Sequence, residues 1–216
     1  MDNINKNNES ADQGIFIAFE GIDGSGKSTQ ITILNERMKE EGIHCYTTME
    51  PTDSPFGSLI HQIMTGRIKT DNKVIAALFV ADRLDHLLND VDGIVNKINE
   101  GTTVLTDRYY FSSYAYHSVD MPMEWVIQAN GQSSGILRPT VTIFIDTDPD
   151  TAMERIAKSR DHQELFEKKS RLVKVREKYF EAFEKLKGEE RVIVIDGNRS
   201  VQEIADDIWE RVKGFL

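Results

Sequence analysis

The sequence predicts an α/β domain in which a parallel sheet of five strands is covered by helices on both faces. Five short apolar runs alternate along the chain with segments of helical periodicity. The first run leads into a glycine-rich turn and then a helix, which is the setting of a phosphate-binding loop. The 216 residues contain no internal repeat and no linker-like change in composition, so they fit one domain.

Each predicted strand is a short run rich in apolar and β-branched residues. These runs are Ile15–Phe19, Ile43–Met49, Thr102–Thr106, Val141–Ile145 and Arg191–Ile195. The helices follow from apolar residues three and four positions apart and from end signals such as Gly, Pro and capping residues. They are expected at Thr29–Glu41, from Ser54 and Pro55 to near Gly66, from Thr70 or Asp71 to Gly101, within Arg108–Gly135, at Thr151–Lys158, from the charged segment 159–169 to near Gly188, and after the capping box Ser200–Glu203.

Composition and charge narrow the class of protein. A net charge of −10 and a pI near 5.0 argue against a protein that coats nucleic acid, which would need a basic surface. They do not argue against an enzyme that binds a nucleotide in one locally positive cleft. Residues 1–13 are polar and lack the apolar core of a secretory signal, and no apolar run approaches membrane-spanning length. We therefore expect a disordered tail at 1–13, one domain at 14–216, no membrane association and a cytoplasmic location. Cys45 stands alone and is expected to be a buried thiol in a reducing compartment.

The strongest motif is the P-loop Gly21-Ile22-Asp23-Gly24-Ser25-Gly26-Lys27-Ser28, which satisfies G-x-x-x-x-G-K-[ST]. Its glycines let backbone N–H groups point inward, and the following helix N-terminus adds partial positive charge. We expect the loop and Thr29 to hold nucleotide phosphates, Lys27 to reach the β- and γ-phosphates, and the Ser28 hydroxyl to ligate Mg²⁺. A chance match in a chain of this length occurs with a frequency on the order of one per cent.

Acidic residues follow two other predicted strands at the same edge of the sheet, where ligands bind in such folds. Asp107 ends the third strand and suits a magnesium ion, while its neighbour Arg108 suits a phosphate. A simple turn or helix cap is the alternative for Asp107. Glu50 ends the second strand and is equally a second partner of the metal or an ordinary loop carboxylate.

Aromatic and basic residues on two helical segments are further candidates, each with a plainer alternative. Phe79 and Arg83 stand four residues apart, so they lie on one face of the predicted helix. Either the Phe79 ring stacks on a base and the Arg83 guanidinium group binds a phosphate through two N–H groups, or Phe79 is an ordinary packed ring beside an exposed arginine. Four tyrosines after Asp107 either border the cleft or belong to the core: Tyr109, Tyr110, Tyr114 and Tyr116.

Cations cluster around the charged segment. Arg155, Lys158 and Arg160 either belong to a lid at about 158–169 that brings charge onto the transferring phosphate, or mark a solvated helix end. Arg171 and Arg176 fit a solvated helix face better.

Together these residues resemble the thymidylate kinase family of P-loop nucleoside monophosphate kinases. The matching segments are FEGIDGSGKST at 19–29, EPT at 50–52, FVADR at 79–83, DRY at 107–109, SSYAY at 112–116, RP at 138–139 and IDG at 195–197. The P-loop indicates only the superfamily, whereas Phe-x-x-x-Arg followed by Asp-Arg-Tyr indicates this family. The resemblance implies a three-layer P-loop NTPase fold with a short lid, phosphorylation of dTMP to dTDP by in-line transfer from ATP with Mg²⁺, and a homodimer.

The resemblance also implies roles for individual residues. Phe79 would stack on thymine, and Arg83 and Arg108 would hold the acceptor phosphate. Asp23 would lie near the sugar 3′-hydroxyl, and Tyr116 would disfavour ribose. The acceptor site is completed by Asn130 or Gln132 at the base edge and by Tyr179, Tyr109 and Glu50.

Two departures from the family pattern bear on the cations. Some members carry an arginine inside the P-loop, where this chain has Gly24 and Ser25, and others carry their catalytic cations in the lid. Lys158 and Arg160 fit the second kind and join Lys27, Asp23 and Arg108 as the expected catalytic residues. Many relatives have arginine before the Glu-Pro pair, where this chain has Met49, so one phosphate-binding cation is missing.

Two other functions stay open from the sequence. A kinase of this architecture that acts on another deoxynucleotide or on a nucleoside would need, for a neutral hydroxyl acceptor, a general base and fewer arginines. A regulator that uses the P-loop as a switch would bind nucleotide without transferring a phosphoryl group.

Overall fold

A computed structural model describes residues 14–157 and 165–216 of the chain. The strands are β1 (Phe16–Glu20), β2 (Cys45–Met49), β3 (Thr103–Asp107), β4 (Val141–Asp146) and β5 (Val192–Asp196). They form one sheet in the order β2-β3-β1-β4-β5, and every pairing is parallel. The predicted α/β class and five-stranded parallel sheet are confirmed, with strand ends shifted by one or two residues.

Helices connect the strands and cover both faces of the sheet. Within the described residues they are α1 (Lys27–Glu40), α2 (Pro55–Met64), α3 (Asn72–Leu88), α4 (Ile94–Asn99), α5 (Tyr110–His117), α6 (Met123–Ala129), α7 (Gly131–Ile136), α8 (Pro149–Ala157), α9 (Leu165–Lys185) and α10 (Val201–Val212). The predicted caps are present: the Ser54 side chain caps α2, and Ser200 with Glu203 forms a capping box on α10.

The prediction of a single long helix between residues 70 and 101 is wrong, because a turn divides this segment into α3 and α4. Asn89 leaves the helix with extended backbone, and its side-chain oxygen accepts the N–H of Val91 at 2.9 Å. Gly93 packs so closely on this turn that a Cβ there would lie 2.4 Å from the Asn89 carbonyl oxygen. The apolar stripe continues across the break, yet Val91 is 91% exposed, so the periodicity concealed the turn.

Two apolar layers sandwich the sheet. On one face Ile17 and Phe19 of β1 pack with α1 and α10, and on the other Phe16 and Ala18 pack with α5 and α9. All five residues of β1 are buried, as expected for the central strand. Because every strand is parallel, the carboxyl ends of all five meet at one edge, where the P-loop also begins.

Cys45 lies half-buried on the edge strand β2, with its sulfur 3.1 Å from the sulfur of Met38. Burial raises the pKa of the thiol to about 11, so it is protonated at neutral pH. No helix within the described ranges is long and apolar enough to cross a lipid bilayer.

Candidate active site

The P-loop follows β1 and opens directly into α1. Gly21, Gly24 and Gly26 all have positive φ, as the tight curl requires. Gly24 also packs against α8, where an added Cβ would lie 2.5 Å from the Ala152 carbonyl oxygen. Beside this loop lies a cavity of about 510 Å³, here named the donor cavity, which is lined mainly by residues 24–30 and Arg155.

Lys27 is folded back over the P-loop. Its ammonium group donates to the carbonyl oxygens of Gly21 and Ile22, each at 3.2 Å. Burial, followed by the repulsion of Arg108, lowers the pKa of Lys27 to about 8. The charge therefore lies inside the curl of the loop, where a phosphate oxygen would replace these two carbonyls.

Ser28 and Asp107 meet at the expected metal position. The Ser28 hydroxyl donates to Asp107 Oδ2 at 2.6 Å, while Asp107 Oδ1 is buried and has no hydrogen-bond partner within the described residues. A hydroxyl and a carboxylate with a spare oxygen are ligands that Mg²⁺ prefers. No group of three or more His, Cys, Asp or Glu side chains in the described ranges would hold a metal alone, so these residues fit an ion that also takes ligands from phosphate and water.

Arg108 stands between the P-loop and α5 and is the one non-glycine residue of the described chain with positive φ, at 75°. Its guanidinium group donates to Asp23 at 2.5 Å, to Ser112 at 2.9 Å and to the Gly21 carbonyl at 3.3 Å. The Tyr116 hydroxyl donates to the same Asp23 carboxylate at 3.1 Å. Burial lowers the pKa of Arg108, but Tyr116, Tyr179 and the acidic neighbours raise it well above its usual value, so the arginine stays charged.

A second cavity of about 320 Å³, here named the acceptor cavity, opens beyond Arg108. Its walls include Asp23, Phe79, Arg108, Ser113, Tyr116, His117 and Arg171. Asp23 lines this cavity and the next residue, Gly24, lines the donor cavity, so the two adjoin at the P-loop. The Phe79 ring packs 5.2 Å from the His117 ring at 61°. Burial, with Arg83 and Arg171 nearby, lowers the pKa of His117 to about 4, so its imidazole is neutral.

Arg83 was expected to bind the acceptor phosphate, but its buried position does not favour that role. The side chain is 1% exposed and donates to Glu50 through Nε at 2.8 Å and Nη2 at 2.5 Å. Its Nη1 donates to Ser113 at 3.1 Å and to the side-chain oxygen of Asn130. Arg83 therefore supports the wall to which Phe79 and Ser113 belong without lining the cavity. Glu50, which also contacts His86 at 3.2 Å, is a buried ion-pair partner of Arg83 rather than an ordinary exposed loop carboxylate.

Three other predicted acceptor residues lie behind the wall. Asn130 is 1% exposed, and its amide donates to the Val126 carbonyl at 2.8 Å. The Tyr109 hydroxyl donates to the Leu137 carbonyl at 3.0 Å, and the Tyr179 hydroxyl donates to Glu20 at 2.8 Å. The sequence predicted that these side chains lie near this edge of the sheet, but it did not predict the direction in which each one points.

Gln132 is exposed on α7 and does not line the acceptor cavity. Of the clustered tyrosines, Tyr109, Tyr110 and Tyr114 belong to the core and only Tyr116 borders the cavity.

Of the three cations expected in or near the lid, the structure describes only Arg155. Arg155 donates to the Ser25 carbonyl at 3.3 Å and to the Gly197 carbonyl at 2.9 Å, and so ties the P-loop to the turn after β5. Lys158 and Arg160 lie outside the described residues.

Two arginines were expected on a solvated helix face; Arg171 is exposed and Arg176 partly so, and each also has a specific partner. Arg171 lines the acceptor cavity and pairs with Asp120 at 2.9 Å. Arg176 forms two hydrogen bonds with Asp146 at the end of β4, at 2.5 and 2.7 Å. In the sequence, the position of Asp146 at the end of a strand was the feature that could have indicated a partner for Arg176. For His117 and Arg171, the only features that could have indicated a place at the cavity were their proximity in sequence to Tyr116 and to the expected lid.

Comparisons with known proteins find relatives that match this chain over most of its length. A family model described as "Thymidylate kinase" matches residues 19–208. A probable thymidylate kinase of Methanocaldococcus jannaschii is 37% identical over 202 residues, covering 93% of this chain and 97% of that protein. A probable thymidylate kinase of Pyrobaculum aerophilum is 37% identical over 199 residues, covering 92% of this chain and 96% of that protein. A thymidylate kinase of Symbiobacterium thermophilum is 34% identical, covering 94% of each.

Proposed function

This chain belongs to the thymidylate kinase family, and from that premise we propose that it transfers the γ-phosphoryl group of ATP to the 5′-phosphate of dTMP, giving dTDP and ADP. It is a phosphotransferase of the nucleoside monophosphate kinase class. The observation that carries the proposal is the pair of adjoining cavities, one beside the P-loop and one beyond Arg108.

On the donor side, we propose that the P-loop backbone, Lys27 and Thr29 hold the phosphates of ATP. Lys27 would exchange the Gly21 and Ile22 carbonyls for phosphate oxygens, which keeps its charge paired. Arg155 lies at the same cavity with its guanidinium group fixed over the loop. Ser28 and Asp107 would hold Mg²⁺, which when bound neutralises charge on the β- and γ-phosphates.

On the acceptor side, we propose that the base stacks on Phe79 and that Arg108 holds the 5′-phosphate. Arg108 lines the acceptor cavity and also touches the P-loop through Gly21 and Asp23. Tyr116 packs under Arg108 and Asp23 at the sugar position, where its ring would crowd a 2′-hydroxyl. Arg83 and Asn130 hold this wall from behind.

The chemistry asks for positioning more than for proton transfer, because the acceptor phosphate is already an anionic nucleophile. Two unit charges about 4 Å apart at an effective dielectric near 20 repel by roughly 4 kcal/mol. We propose that Lys27 and Arg108, which both reach the Gly21 carbonyl of the P-loop, offset this repulsion. We propose that Lys158 and Arg160, in a lid at about 158–169, add charge and exclude water when both substrates are bound.

The experiment that tests the function is an acceptor panel. With ATP and Mg²⁺, phosphorylation of dTMP, dUMP, UMP, CMP, AMP and thymidine is compared, and dTMP is expected to have the highest kcat/KM. Lys27→Ala and Arg108→Ala should each lower kcat by about 10²-fold or more. Lys39→Ala, which removes an exposed lysine of α1, is the matched control and should be unchanged. Preference for thymidine, or ATP binding without transfer to any acceptor, would contradict the proposal.

The proposal extends to assembly and location. We propose a homodimer in which the surface formed by α2 and α3 meets a second copy, because Phe56, Val74 and Leu88 are each more than 40% exposed there. Light scattering coupled to size exclusion should give twice the 24.6 kDa chain mass, and Val74→Glu should lower it. The proposed unit is residues 14–216, acting in the cytoplasm.

A further inference from the structure

We propose that Glu20 is a positioning residue for the acceptor phosphate, because it caps α5 from the neighbouring strand and thereby fixes the direction of Arg108. The inference rests on the proposed function in taking Arg108 as the phosphate ligand. Glu20 is fully buried at the end of β1 and lines neither cavity, so it acts only through its neighbours.

The first contacts of Glu20 are with the start of α5. Its Oε1 accepts the backbone N–H of Tyr109 at 2.9 Å and that of Ser112 at 3.1 Å. Ser112 is the third residue of α5, which is the position whose N–H a capping side chain usually binds. The residue at the cap position, Tyr109, makes no side-chain capping bond, so the carboxylate of β1 takes that role.

This cap fixes the backbone on which Arg108 stands. Arg108 is held in the left-handed region, which residues other than glycine rarely adopt. Its own N–H donates to the Phe19 carbonyl at 2.9 Å, and its carbonyl accepts the Thr106 hydroxyl at 2.9 Å. The next N–H, that of Tyr109, is the one bound by Glu20. Hydrogen bonds on both sides of the residue therefore impose the turn that aims its side chain at the P-loop.

A second path joins Glu20 to the guanidinium group itself. The Ser112 hydroxyl donates to Glu20 Oε2 at 2.6 Å and accepts from Arg108 Nη1 at 2.9 Å. The Tyr179 hydroxyl of α9 donates to the same carboxylate oxygen at 2.8 Å. Burial raises the pKa of Glu20 above its usual value, and the bonds from Ser112 and Tyr179 and the charge of Arg108 oppose that rise. Glu20 thus connects the strand before the P-loop, the helix after Arg108 and the helix after the expected lid.

The test is Glu20→Gln, which keeps the size of the side chain but offers an amide where two hydroxyls donate. We expect KM for dTMP to rise about tenfold, the usual effect of losing a hydrogen bond to a charged group, while KM for ATP changes less than twofold. Ser112→Ala should give a similar rise, and the double variant should be no worse than the poorer single variant if both act on Arg108 along one path. Glu190→Gln is the matched control: Glu190 accepts the Tyr110 hydroxyl at 2.7 Å away from both cavities, and its loss should leave both KM values unchanged.

A readout independent of activity separates this inference from the proposed function. The ¹⁵N resonance of the Arg108 Nε–H, assigned by its absence in Arg108→Lys, should move in Glu20→Gln and in Ser112→Ala but not in Glu190→Gln. Wild-type protein that fails to phosphorylate dTMP would overturn the proposed function alone, since the resonance still reports the position of Arg108. An unmoved resonance, or a wild-type KM for dTMP in Glu20→Gln, would overturn the role of Glu20. If Glu20→Gln fails to fold, Tyr179→Phe, which removes a hydroxyl that donates to Glu20 and lines neither cavity, decides by the same two measurements.

Discussion

Glu50→Ala is the substitution that most clearly separates the structure from the sequence-based expectation. As a metal neighbour or loop carboxylate, Glu50 would affect turnover and leave stability almost unchanged. In the structure its carboxylate and the Arg83 guanidinium are each 1% exposed and share two hydrogen bonds. Removing the carboxylate leaves a charged guanidinium group buried without its counter-ion.

The expected loss follows from that burial. Breaking a buried ion pair by deleting one partner costs about 3–5 kcal/mol, against a total stability of about 5–15 kcal/mol for a typical domain. For a chain of this size, each 1 kcal/mol lowers the melting temperature by about 2–4 °C. Glu50→Ala should therefore melt about 6–20 °C below the wild type.

The assay is thermal and urea unfolding followed by circular dichroism, with Asp206→Ala as the control. Asp206 pairs with Arg37 at 3.1 Å, but the two side chains are 56% and 37% exposed, so its loss should cost less than about 1 kcal/mol. If Glu50→Ala and Asp206→Ala melt within about 2 °C of each other, the buried pair does not stabilise the fold as described.

Three further predictions concern charge and shape at the two cavities. Because Lys27 has a pKa of about 8 without ligand, the Kd for Mg-ATP measured by calorimetry should rise about tenfold between pH 7 and pH 9, whereas Lys27→Arg, which stays charged, should show a flat profile; a flat wild-type profile would refute the assignment. His117 has a pKa of about 4 in the fold against an ordinary 6.5, so the unfolded chain takes up the proton first and stability falls as the pH drops from 6.5 to 4, by about 3 kcal/mol at most; urea unfolding of His117→Gln should lack this part of the pH dependence, and parallel curves would count against it. Tyr116→Ala should narrow the preference for deoxyribose, measured as the kcat/KM ratio of dUMP to UMP, by about tenfold or more, and an unchanged ratio would remove Tyr116 from the sugar site.

The local features of the chain were predictable because they depend on neighbours in sequence. The strand before the P-loop, the P-loop itself and the capping box at Ser200 are each specified by a short pattern. The Ser28–Asp107 contact was also predictable, since parallel strands bring their carboxyl ends to one edge. These features sufficed for the fold and for the local geometry around the P-loop.

The orientation of side chains around the acceptor cavity was not predictable in the same way. Phe79 and Arg83 share a helix face in sequence, yet only Phe79 lines the cavity, because Glu50 and Asn130 from other elements draw Arg83 inward. Glu20 belongs to the FEGIDGSGKST segment, but the sequence indicated no role for it, since its partners lie 89 to 159 residues away in the chain. Contacts of this kind depend on packing between distant segments, which periodicity and motif spacing do not encode.

We propose that one P-loop serves two phosphate sites, one in the donor cavity and one in the acceptor cavity that adjoins it. The most direct test of this proposal is inhibition by a single molecule in which adenosine and thymidine are joined 5′ to 5′ through five phosphates. Such a compound should compete with ATP and with dTMP alike and bind more tightly than either substrate, and Arg108→Ala should weaken it. Competition with ATP alone, at an affinity no better than that of ATP, would contradict the claim.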